Sequence, residues 1–177
     1  KILSLLFCVV MLVAACHDDE EGPIIPQPRE QVGRTVLVYI VGDNGVNELS
    51  DLFKTNFEDM KEGMKEVDYS KCNLVVYSEM VNDVPRLVSL KKQNGKVVAD
   101  TLFTYSEQNP LAKEVMSSVI SQTVSYFPAD SYGFVFLSHS SSWVPATNDA
   151  NSRSIGYYRR TQMNIPDFHD VLLSSFP

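Results

Sequence analysis

Tyr-Gly-Phe-Val-Phe-Leu-Ser-His-Ser-Ser-Ser-Trp, residues 132–143, is an apolar run that stops on His139, passes through three hydroxyl residues and ends on the single tryptophan of the chain. A short apolar run bounded in this way reads as a buried strand, so His139 is delivered to the edge of a sheet. In open α/β sheets ligands and chemistry gather just outside the carboxyl ends of the strands, which makes an imidazole there a catalytic candidate. The same position also suits a histidine that only caps the strand by bonding nearby backbone.

Working outward, the flanking sequence alternates strands and helices. Residues 35–41 are a continuous β-branched and apolar run closed by Gly42-Asp43-Asn44-Gly45, as expected of a central strand feeding a turn. Between residues 47 and 67, Leu49, Leu52, Phe53, Phe57, Met60, Met64 and Val67 recur at helical spacing with charges between them. This stripe reads as a helix face packed on the sheet. A second strand is expected over residues 74–80, then a hairpin of residues 86–90 and 96–103 around Gln93-Asn94-Gly95, since Asn-Gly supplies the positive φ angles of a tight turn.

Ala112, Val115, Met116, Val119, Ile120 and Phe127 place a second helix over residues 109–127, entered through Pro110 and stopped before Pro128. It returns the chain to the histidine strand. Right-handed crossovers then set the ends of the three strands starting near Thr35, Leu74 and Tyr132 along one rim, where Asp43, Glu79 and His139 can meet. Asn164-Ile165-Pro166 opens a short amphipathic segment with Phe168, Val171 and Leu172, read as a third helix. A further parallel strand should follow it, yet the sequence stops at Pro177, so the sheet is expected to be incomplete on its C-terminal side, completed by further sequence or by a partner chain.

Composition bounds the rest. With 44% apolar residues a single core is possible, and 15 Lys plus Arg against 22 Asp plus Glu give a net charge of −7, which leaves nucleic-acid binding without an electrostatic basis. Lys1 precedes a stretch over residues 2–15 too short to span a bilayer but suited to a signal-peptide core. Val13-Ala14-Ala15-Cys16 resembles the lipobox of bacterial lipoproteins, which implies cleavage before Cys16 and a lipid on that cysteine. His17-Asp18-Asp19-Glu20-Glu21 resembles the surface-export signal of Bacteroidetes lipoproteins, implying an outer-membrane lipoprotein at the cell surface. Residues 16–33, acidic and then rich in proline, read as a tether, with residues 34–177 as the domain. Cys16 and Cys72 are the only cysteines after residue 15, so with Cys16 acylated no intramolecular disulfide is expected.

Residues 35–44, 132–143 and 152–172 together resemble the N-terminal portion of the clostripain-like cysteine peptidases, the C11 family with a caspase-like fold. The resemblance rests on Asp43-Asn44, Tyr132-Gly133, His139, Trp143 and Gly156-Tyr157. It implies a three-layer caspase-like α/β sandwich with a mostly parallel sheet. It also implies that His139 pairs with a cysteine in an Asp-Ala-Cys-like motif at the end of the next strand, which this sequence does not contain. Cys72 is a poor substitute, because it stands at the amino end of its strand. Cleavage after Arg or Lys by a Cys-His dyad, with peptides or proteins as substrates, is the implied activity.

Two departures from the family pattern bear on it. Ser140 and Ser142 replace glycines beside the histidine; Ser140 still offers a backbone N–H to an oxyanion, although any positive φ there would distort the site. Tyr158 replaces an Asp. Asp43 lies on the correct rim to bind a basic substrate side chain, or serves only to cap the following helix. Self-cleavage, known in the family, could occur at Arg153, Arg159 or Arg160, which are expected in a polar loop. His17, His139 and His169 lack metal-ligand spacing, no cofactor motif is present, and calcium dependence is neither supported nor excluded. The alternative is a surface lipoprotein of the same fold that has lost catalysis and binds peptide or glycan.

Overall fold

A computed structural model describes residues 26–43, 45, 47–140 and 154–177. The apolar run after Arg34 becomes β1 (Val32–Val41), flanked by parallel neighbours β2 (Cys72–Glu79) and β5 (Ala129–Ser138). A strand with two such neighbours is covered on both faces, which is why its sequence is continuously apolar rather than alternating. Antiparallel β3 (Arg86–Gln93) and β4 (Lys96–Thr104) extend the sheet to the order β4-β3-β2-β1-β5, so all strands but β3 point the same way. Asn94 and Gly95 join β3 to β4 with φ of 50° and 77°, the conformation their sequence anticipates.

Helices cover both faces. Helix α1 (Asn47–Gly63), continued by a 3-10 turn (Met64–Glu66), lays Phe53, Phe57 and Met60 on Val38, Ile40, Val76 and Val88. Leu37, Tyr39 and Val41 alternate to the opposite face, where they meet Met116, Val119 and Ile120 of α2 (Lys113–Tyr126) and Val171 of α3 (Ile165–Ser175). Each fully buried aliphatic side chain in these layers contributes about 1.5–3 kcal/mol. The result is a three-layer α/β sandwich.

Several local details differ from the sequence expectation. Leu52, counted on the buried stripe, is exposed, because the face that meets the sheet follows Leu49, Phe53, Phe57 and Met60. Helix α2 begins at Lys113 rather than Asn109, since Asn109 diverts the backbone into a turn: its Oδ1 accepts from Leu111 N (3.0 Å) and its carbonyl from Ala112 N (3.1 Å). The segment expected as a polar loop contains a second, two-stranded sheet, β6 (Ser154–Tyr158) and β7 (Thr161–Asn164), turned by Arg159 and Arg160. No glycine or asparagine marks that turn, and Arg159 itself takes a φ of 52°. Helix α3 starts as expected: Asn164 Oδ1 accepts from Asp167 N at 2.7 Å, and Pro166 sits in the first turn.

The register fixes the functional rim. Val41 stands level with Glu79 on one side and Ser138 on the other, so β1, β2 and β5 end together. Among the described residues β5 has no strand on its outer edge, and Val135, on its α1-side face, is 42% exposed. Its opposite face is covered, with Phe134 and Phe136 packed against Phe168 at centroid distances of 5.8 and 5.3 Å.

Candidate active site

His139 is the first residue beyond β5 and is exposed, on the same rim as Asp43 and Glu79. Its imidazole lies against Tyr157, with centroids 5.6 Å apart and planes inclined by 57°. The Ser138 hydroxyl joins the two strands that carry this pair: it accepts from Tyr157 N (3.2 Å) and lies 3.4 Å from the carbonyls of Tyr157 and His139, either of which can take its proton. Strand β6 can pass this close only because residue 156 is glycine. A Cβ there would sit 2.9 Å from both Leu111 Cδ2 and Phe136 Cζ.

Arg159 locks the turn of the β6–β7 hairpin onto the end of β1. Its N–H donates to the Asp43 carbonyl (3.0 Å), its Nε to Asp43 Oδ2 (2.7 Å) and its Nη1 to Glu107, while the guanidinium lies 5.0 Å from the centre of the Tyr158 ring. Hydrogen bonds to Asp43 and then Glu107 hold the arginine pKa above its ordinary value. The left-handed backbone at Arg159 costs about 1–2 kcal/mol, which these charge-assisted bonds offset. Asp43 is therefore engaged: its side chain is 9% exposed, Oδ2 is on Arg159, and Oδ1 accepts from Gly45 N at 3.2 Å.

Glu79 lies beneath this clamp and is only 2% exposed. Burial first, then the neighbouring Asp43 charge, push its carboxyl from the ordinary 4.5 up to about 7, against the attraction of Arg159. Tyr158, at the position where the family pattern has Asp, is buried over it, and burial followed by the Glu79 charge raises its phenol to about 12. The phenol favours ionised Glu79, yet Glu79 Oε2 and the Tyr158 hydroxyl find no well-formed hydrogen-bond partner among the described residues. Gly42 N donates to the Glu79 carbonyl (2.7 Å), and the Ser50 hydroxyl bridges Gly42 O and Val81 N, stitching the ends of β1 and β2.

The remaining sequence-expected residues separate clearly. Ser140 is exposed directly after His139. Arg159 is clamped as above, whereas Arg160 is exposed beside it. Cys72 opens β2 level with Arg34, its thiol facing the Asp68 carbonyl at 3.7 Å. It lies seven residue steps from Glu79 along the strand, about 23 Å at the rise of an extended chain, so it is remote from His139. Cys16, the acidic cluster after it, Ser142, Trp143 and Arg153 lie outside the described residues. Among the described residues no group of three or more His, Cys, Asp or Glu side chains is placed to hold a metal ion.

Beside His139, an open cleft of about 420 Å³ runs on the α3-side face of β5 between Phe134, Phe136, Ile155 and Phe168, with Ser138 and Ser140 at its rim. Neither the Arg159 clamp nor Glu107 was legible before the fold was known. Their partners are 116 and 52 residues apart in sequence, with no motif linking them.

The clostripain family model, peptidase C11, matches residues 38–176. Among solved structures, a B. fragilis cysteine protease is 41% identical with a TM-score of 0.58, over 67% of this chain and 98% of that one. A secreted C11 cysteine protease from Bacteroides thetaiotaomicron, in complex with an irreversible peptide inhibitor, is 40% identical with a TM-score of 0.67, over 82% of this chain and 40% of that one. An inactive zymogen C11 protease from Parabacteroides distasonis is 34% identical with a TM-score of 0.59, over 67% of this chain and 34% of that one. The chain thus spans nearly all of the first and well under half of the other two. Comparison with curated proteins yields no match.

Proposed function

We propose that this chain, which belongs to the clostripain family, is the histidine-bearing part of a cysteine endopeptidase that cleaves after Arg or Lys. The observation that carries the reading is the placement of His139: exposed, at the carboxyl rim, beside a β5 edge that has no partner strand among the described residues. The thiol would stand on a strand paired with that edge. A thiolate there attacks the peptide carbonyl, His139 protonates the leaving amine, and the Ser140 N–H stabilises the oxyanion.

Asp43 acts as the anchor of Arg159 rather than as a contact for substrate, because both of its oxygens are already bonded. Self-cleavage falls at Arg153 or Arg160, since Arg159 would first have to leave two carboxylates. The Val-Ala-Ala-Cys and acidic segments support a lipid on Cys16 and a place on the outer membrane facing outward.

The test is hydrolysis of Arg- and Lys-containing peptides by the full-length protein, with His139→Ala as control. The variant is expected to lose at least about a hundredfold in kcat/KM. Undiminished hydrolysis in His139→Ala removes the assignment. No turnover by the full-length protein favours the peptide- or glycan-binding reading instead.

A further inference from the structure

We propose that Tyr157 is a positioning residue: its ring backs the His139 imidazole and fixes the direction from which that imidazole meets substrate. The proposal rests on the reading of His139 as the catalytic acid and base. His139 stands one residue past the strand ladder, so β-pairing orients its backbone entry and leaves its ring free to turn. The ring that meets it among the described residues is that of Tyr157, at a separation and tilt typical of favourable aromatic pairs.

Tyr157 is not there to fill the core. Along β6, Ser154, Gly156 and Tyr158 are buried, while Ile155 and Tyr157 are only partly covered. Ile155 packs against the main core and Tyr157 does not belong to it. The structure nevertheless fixes Tyr157 from three directions. Ser138 Oγ receives its N–H, Gly156 lets β6 press onto Phe136, and Arg159 two residues later is bound through both backbone and side chain to Asp43. So much restraint on this strand is explained if Tyr157 must be held against His139. A small displacement of a reacting group is enough to lower turnover by large factors.

The experiment compares Tyr157→Ala, Tyr157→Phe and His139→Ala in the full-length protein. Two readouts are taken: kcat and KM on an Arg-containing peptide, and the rate at which diethyl pyrocarbonate modifies His139, followed by peptide mass mapping. Tyr157→Ala is expected to lower kcat by about tenfold or more with KM within about twofold, and to speed modification of the uncovered imidazole several-fold. Tyr157→Phe, which keeps the ring, is expected to restore both. Unchanged kcat and modification rate in Tyr157→Ala overturn the proposal, as does a loss in Tyr157→Phe equal to that in Tyr157→Ala. Full activity in His139→Ala sinks the peptidase reading instead, and the modification rates still judge the ring contact.

Discussion

Replacing Glu79 by Gln tests the electrostatics of the rim. A carboxyl that ordinarily titrates near 4.5 is held here at about 7, because it is buried and faces Asp43, with Glu107 adding repulsion and Arg159 opposing it. The folded state therefore keeps a proton that the unfolded chain releases. Below about pH 4.5 both states are protonated and Glu79 exerts no pH dependence. Between about 4.5 and 7 the unfolded state ionises alone, so stability falls by about 1.4 kcal/mol per pH unit. Above about 7 both are ionised and the loss is complete, at about 3 kcal/mol.

Glutamine imitates the protonated acid in shape and cannot ionise. Urea unfolding of wild type and Glu79→Gln should consequently give nearly equal stabilities at pH 4.5. At pH 8 the variant should be more stable by up to about 3 kcal/mol, a clear rise in the urea midpoint without a change in slope. Other titrating groups cancel in the difference between the two proteins. A difference that does not vary with pH, or a variant less stable at pH 8, would refute the reasoning, since either requires Glu79 to be ionised in the fold at little penalty.

Gly156→Ala is expected to destabilise by about 1–3 kcal/mol, seen in urea titrations, because the added methyl meets Leu111 and Phe136 at 2.9 Å within a packed layer. Arg159→Met leaves a left-handed backbone without its ion pairs and uncovers Asp43; a lowered Tm together with lowered kcat is expected, and Arg159→Lys should recover only part, as one ammonium cannot reproduce the fork between two carboxylates. Leu37→Ala, at 1% exposure between β2 and β5, should cost about 2–5 kcal/mol in the same assay. If the proposed lipid anchor is right, Cys16→Ser in cells fed a labelled fatty acid should abolish label incorporation and release the protein from the membrane fraction; continued labelling would contradict it.

The layers of the sandwich were legible because their signals are local. Val36 to Val41 had to be a strand covered on both faces, Asn94-Gly95 had to be a turn, and Asn164 with Pro166 had to open a helix. The rim was legible in part: placing Asp43, Glu79 and His139 together followed from strand direction alone. What joins them was not. Arg159 carries no turn signal, and its left-handed conformation is held by Asp43, just past β1, and by Glu107 in the β4–α2 connection. Reading the β6–β7 segment as a loop followed from the same gap, since a hairpin turned by two arginines is stabilised by tertiary contacts rather than by propensity.

The packing around His139 also constrains where the proposed thiol could stand. Towards β1 the rim is occupied by Asp43 and the Arg159 clamp, and Tyr157 lies against the ring. Below runs β5 itself. The remaining approach among the described residues is from the outer edge of β5, where backbone groups lack a neighbouring strand and the cleft between Phe136 and Phe168 opens. A nucleophile carried at the end of a strand added to that edge would arrive about 5 Å from the His139 backbone, within reach of the imidazole and level with the Ser140 N–H. Cys72, at the far end of the sheet and on the other side of β1, could make that approach only by taking the sheet apart.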